Sequence, residues 1–187
     1  LFLCDQNLEY IKPEKIESTH NLLLEVLLAA QHEGKSLVDK HKKFNKENSD
    51  FHTNICTVLA RSFADMGDII RGKDLYLGNK KQYETEREKE ILQKNLKNIF
   101  AKIYGDLSES AKDHYQDKNG GNFFKLREDW WNANRQEVWK AITCGAEDDD
   151  KYTKKKRNGE TTQSSHIKCR NFADVPTNLD YVPQFLR

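Results

Sequence analysis

Gly67, Gly72 and Lys73 stand at the spacing G-x-x-x-x-G-K, which opens a phosphate-binding loop. In such a loop, backbone N–H groups cradle phosphate, the lysine reaches it, and a following Ser or Thr hydroxyl meets magnesium. Here the following residue is Asp74, whose carboxylate repels phosphate. The motif also closes a helical pattern running from Leu59 to Gly78, where a phosphate loop would follow a strand and open a helix. It reads as structural, with Gly72 near a helix C-terminus. The six histidines, His20, His32, His41, His52, His114 and His166, include no i, i+4 pair of the kind that binds metal on a helix. Glu88, Glu90 and Lys94 read as a solvated helix face. No Ser or Cys sits on a glycine-framed nucleophile turn. The expectation is no enzyme, no cofactor and no metal centre.

The residues left for recognition are basic. Lys40, Lys42, Lys43 and Lys46 form one cluster, and Lys154, Lys155, Lys156 and Arg157 a second. Clustered cations attract a polyanion such as a sulfated glycan even where net charge is small. The acidic run from Glu147 to Asp150 partly cancels the second cluster, so the first is favoured. All three tryptophans, Trp130, Trp131 and Trp139, lie in one element. Trp131 and Trp139 fall near one helical face and are assigned to the core, while Trp130 is ambiguous between core and an exposed aromatic surface. Cys4, Cys56, Cys144 and Cys169 form no C-x-x-C pair; they allow three full pairings, and the sequence chooses none.

These side chains need elements to hold them. Pro13 suits the first turn of a helix. Ile16, Leu22, Leu23, Leu24, Val26, Leu27 and Leu28 then make that helix apolar on most faces, with Gly34 ending it. Asp50 is a candidate N-cap for a second helix, whose buried stripe is Phe51, Ile55, Val58, Leu59, Phe63, Met66, Ile69 and Ile70. A charge-rich helix follows between Tyr83 and Tyr104, with Ile91, Leu92, Leu96, Ile99, Phe100 and Ile103 inward. Asp106, Leu107 and Ser108 can start a short helix through Tyr115. Asn119-Gly120-Gly121 is a turn, and an aromatic helix then ends near Cys144-Gly145. Apolar periodicity vanishes over 147–168, which reads as a long, exposed, mobile loop. Order returns over 175–187. The fold expected is all-α, a bundle of long helices with almost no strand.

Composition sets the outer bounds. The chain has 187 residues, 36% hydrophobic and 33% charged, with a formal net charge of +1. That balance excludes a whole-molecule electrostatic case for nucleic acid. The most apolar window, Leu22 to Ala30, carries Glu25 and is far shorter than the roughly 20 apolar residues of a bilayer span, so no membrane insertion is expected of this stretch.

Several segments together resemble one family. They are Leu3-Cys4-Asp5, Leu59 to Gly78, Leu126-Arg127-Glu128-Asp129-Trp130-Trp131, Val138-Trp139-Lys140-Ala141-Ile142-Thr143-Cys144-Gly145 and Asp180-Tyr181-Val182-Pro183-Gln184-Phe185-Leu186-Arg187. The family is the Duffy-binding-like domain, alpha class, of the var-encoded erythrocyte membrane proteins of Plasmodium falciparum. The resemblance covers essentially the whole chain, so 1–187 reads as one partial domain: a central helical part, a variable exposed loop at 147–168 and the start of a further helical part at 175–187. It implies a disulfide-tied helical adhesion domain, monomeric when isolated, in the extracellular part of a membrane-anchored protein on the infected red cell. It also implies host receptors or sulfated glycans as ligands, and rosetting as the phenotype. The alternative is a scaffold or antigenically varied segment with no ligand of its own. The resemblance further implies a bond between Cys56 and Cys144, with Cys4 and Cys169 pairing outside this chain and so left free, or joined to each other, within it. Closing that long loop would stabilise the fold by roughly 4 kcal/mol.

Overall fold

The computed structural model describes residue 8 and residues 11–48, 53–74, 88–117 and 120–187. Among the described residues five helices carry the fold: α1 (Thr19–Glu47), α2 (Ile55–Arg71), α3 (Glu88–Gly105), α4 (Glu109–His114) and α5 (Phe124–Ile142). A two-stranded antiparallel hairpin, β1 (Thr153–Lys155) and β2 (Thr161–Gln163), pairs Lys154 with Thr162. Helix α5 packs on α1 and α2, α1 packs on α2, and α3 covers α5 and the N-terminal turn. The fold is all-α with a disulfide, as expected from periodicity and resemblance.

Local chemistry sets most helix ends. Ser18 caps α1, its Oγ accepting from the Asn21 N–H at 3.3 Å. Pro13 opens a separate 3-10 turn, Pro13–Lys15, and not α1 itself. The α2 cap is Asn54, whose Oδ1 accepts from the Cys56 N–H at 2.8 Å. Asp50 and Phe51 lie outside the described residues, as do the start of the third helix at Tyr83 and Asn119 of the expected turn. Helix α2 ends at Gly72, at φ 71°, with Gly72 N–H donating to Ile69 O and Lys73 N–H to Asp68 O. These paired bonds make a Schellman cap, so the phosphate-loop spacing is a helix stop.

Gly34 does not end α1. The helix runs through it because glycine there lets α5 come close: a Cβ on Gly34 would lie 1.9 Å from the Ile142 carbonyl oxygen. Gly67 plays the same part between α2 and α5, where a Cβ would sit 2.8 Å from the Trp131 ring. Around these crossings Phe63 lies between Trp131, 5.1 Å away, and Trp139, 5.2 Å away. Trp130 is also buried and meets Phe100 edge-on, so the ambiguous ring is core. Ile91 is the exception in its stripe, 39% exposed.

The disulfide corrects the expected pairing. Cys56 bonds Cys169, with Cα atoms 5.6 Å apart, and Cys144 is an exposed free thiol. Backbone placement of Cys169 explains the choice. Its N–H donates to Asp150 O at 2.8 Å, and its carbonyl accepts from Trp139 Nε1 at 3.1 Å. These bonds set Cys169 against the buried first turn of α2, whereas Cys144 lies just beyond the end of α5 and faces solvent. Cys4 lies outside the described residues. The 147–168 segment also differs from a patternless loop, because it contains the hairpin.

Candidate functional site

The first lysine cluster lies on the C-terminal half of α1. At 100° per residue, Lys42, Lys46, Lys43 and Lys40 spread over less than half the helix circumference, and all four are exposed. Lys42 donates to Glu147 at 2.8 Å, which raises the lysine's pKa and lowers that of the carboxylate. Lys43 lies 3.9 Å from Glu47. The acidic run therefore touches the first cluster, where the sequence suggested cancellation only of the second.

The second cluster crowns the hairpin. Lys154, Lys155, Lys156 and Arg157 are exposed, and Lys156 pairs with Glu160 at 3.0 Å. The Lys42–Glu147 bond and a bond from Asn54 Nδ2 to Lys151 O, at 3.1 Å, anchor the hairpin stem beside the end of α1 and the start of α2. Tertiary structure thus seats both basic clusters on parts of the chain that meet at that junction. Below the hairpin, Tyr152, Lys154, Thr162, Ser164 and Asn171 help line an open polar cleft of roughly 100 Å³.

A buried ionic knot joins the C-terminal end of α2 to α5 and the segment around Asp180. Asp180 accepts from Arg135 Nη2 at 2.7 Å, from Arg135 Nε at 2.8 Å and from Trp131 Nε1 at 3.0 Å. Arg71 donates to Gly67 O and to the carboxylates of Asp68 and Glu128, and reaches the Asp180 carbonyl. Arg187 bridges Asp65 and Asp68. Burial pushes the pKa of Asp65 and of Asp68 above the ordinary carboxylate value, against the pull of Arg187. Burial would raise Glu128 as well, but Lys73 and Arg71 hold it below. Arg127 caps the far end of α2, donating to Ile69 O and Ile70 O, and burial lowers its pKa to about 10. Sequence reasoning missed this knot. The available signal was Arg127, Trp131 and Arg135 at successive i, i+4 steps, which puts two cations on the face of a core tryptophan.

Among the described residues no group of three His, Cys, Asp or Glu side chains can hold a metal ion, and no helix is long and apolar enough to cross a membrane. What the fold defines is a helical, disulfide-linked module with two exposed basic clusters. The family model described as the Duffy binding domain matches residues 1–187, and the chain belongs to that family. The NTS-DBL1(alpha-1) domain of Plasmodium falciparum membrane protein 1 (PfEMP1) from the varO strain is similar at 45% identity and a TM-score of 0.82, over 98% of this chain and 39% of that one. The ICAM-1-binding DBLbeta domain of PfEMP1 IT4var13 is similar at 32% identity and a TM-score of 0.65, over 99% of this chain and 39% of that one. A DBLb domain of PfEMP1 bound to human ICAM-1 is similar at 34% identity and a TM-score of 0.55, over 75% of this chain and 28% of that one. This chain thus spans well under half the length of these solved relatives. No curated protein matches it.

Proposed function

We propose that this chain is the central part of an adhesion domain on the surface of the infected red cell, in the extracellular portion of a membrane-anchored parent, and that it contacts a host receptor. Relatives that bind ICAM-1 support receptor binding in general. The finer reading is a sulfated glycan held by Lys40, Lys42, Lys43 and Lys46, with Lys154, Lys155, Lys156 and Arg157 as a second contact. One observation carries it: the first four lysines share one exposed arc of α1. Rosetting is the phenotype this reading assigns, and the isolated chain acts as a monomer.

Exchanging all four α1 lysines for glutamine tests the reading. On this reading the wild-type chain is expected to be retained on immobilised heparin and released by salt, because its contacts would be ionic and screened. The variant elutes at distinctly lower salt with unchanged helical circular dichroism. Unchanged retention removes the α1 lysines from the site. Absence of saturable binding by the wild type on a glycan array, at physiological salt, favours the scaffold reading instead.

A further inference from the structure

The hairpin tip carries a reaction of its own. Arg157, Asn158 and Gly159 form a three-residue loop, closed by bonds from Gly159 N–H to Lys156 O and from Lys156 N–H to Glu160 O. Gly159 sits at φ 84°, which completes the bulged turn common in such loops. Asn158 and Gly159 are both exposed, and nothing lies within 4 Å of where a Cβ on Gly159 would stand.

We propose that Asn158 is a spontaneous deamidation site, whose conversion to aspartate or isoaspartate lowers the positive charge of the basic hairpin and loosens its pairing. The Gly159 backbone nitrogen gives up its proton to solvent base and attacks Asn158 Cγ. A C–N bond forms, Nδ2 takes a proton from solvent, the Cγ–Nδ2 bond breaks, and the nitrogen departs as ammonia. Water then opens the cyclic imide at either carbonyl, leaving aspartate in one case and isoaspartate in the other. Glycine as the following residue leaves the attacking nitrogen unshielded, since it has no Cβ. The Gly159 N–H is held by Lys156 O at 3.0 Å, so attack requires the tip to open. Opening also breaks the bond from Glu160 N–H to Asn158 Oδ1, at 3.1 Å. It is opposed by the exposed Lys156–Glu160 pair and two three-residue strands, and so short a ribbon is marginal by itself.

The product alters its neighbours. Asn158 Nδ2 faces Glu160 Oε2 at 3.4 Å, and the same Glu160 oxygen accepts from Lys156 at 3.0 Å. After conversion a second carboxylate faces Glu160 and competes for Lys156. Isoaspartate also adds a methylene to the loop backbone and shifts the pairing of Lys155 with Thr161. The effect on glycan contact rests on the adhesion reading above; the modification does not.

Incubation of the folded chain at mildly alkaline pH, followed by peptide mapping and isoaspartyl methyltransferase labelling, tests the proposal. Asn158 is expected to convert while the N158Q variant does not, and the converted chain elutes earlier from a cation exchanger. The peptide holding Asn119-Gly120 is resolved separately in the same map. Unmodified Asn158, at a time when a free peptide of residues 154–163 has fully converted, overturns the proposal. On heparin, N158D elutes at lower salt than N158Q; equal elution overturns the charge effect. The mass readout decides the modification whether or not heparin binds, so failure of the glycan reading is told apart from failure of this one.

Discussion

Asp180 shows what one residue does for the surface around it. Its carboxylate is buried between Arg135 and Trp131 Nε1, while its backbone carbonyl accepts from Arg71. A buried ion pair is not a strong source of net stability, but removing one partner leaves the others charged and desolvated. D180A should therefore destabilise the chain by roughly 3–5 kcal/mol. Urea denaturation followed by tryptophan fluorescence reports the loss, because Trp131 is one of the orphaned donors. A change below about 1 kcal/mol would mean that Arg135 and Trp131 Nε1 are satisfied elsewhere.

At the scale of elements, the helix crossings decide which residues matter. By sequence Gly34 reads as a helix stop and Gly67 belongs to a phosphate-loop spacing that reads as structural; both are places where another helix approaches. Alanine is the better helix former by roughly 1 kcal/mol, so propensity alone predicts that G34A stabilises. The 1.9 Å approach to the Ile142 carbonyl reverses the sign, because backbone cannot move aside as a flexible side chain can. G34A is expected to cost roughly 1–3 kcal/mol, the range for overpacking. A melting temperature equal to or above wild type would contradict the close α1–α5 crossing.

For the whole molecule, the bond between Cys56 and Cys169 matters most. It spans a sequence separation of 113 residues and ties α2 to the segment beyond the hairpin. In the chain-entropy account a loop of that order stabilises by roughly 4–5 kcal/mol. Non-reducing peptide mapping should recover Cys56 linked to Cys169, and iodoacetamide should label Cys144 in the native chain. C169S should destabilise by roughly 2–5 kcal/mol while C144S stays near wild type. Recovery of a Cys56–Cys144 peptide would restore the pairing that family resemblance implied.

Helix content, helix order and the inward stripes were legible because a 3.6-residue period is a local property that burial imposes on sequence. Trp131 and Trp139 could be read in that way, and the Gly72 stop and the basic clusters from residue type and position. Family motifs added the fold and the adhesive role as expectations. Tertiary structure alone decided the sulfur partner of Cys56, the passage of α1 through Gly34, the hairpin within 147–168 and the buried ion knot. Each depends on which residues distant in sequence come within a few ångströms of one another. Periodicity reports which face of an element is buried, and carries no information about which partner buries it.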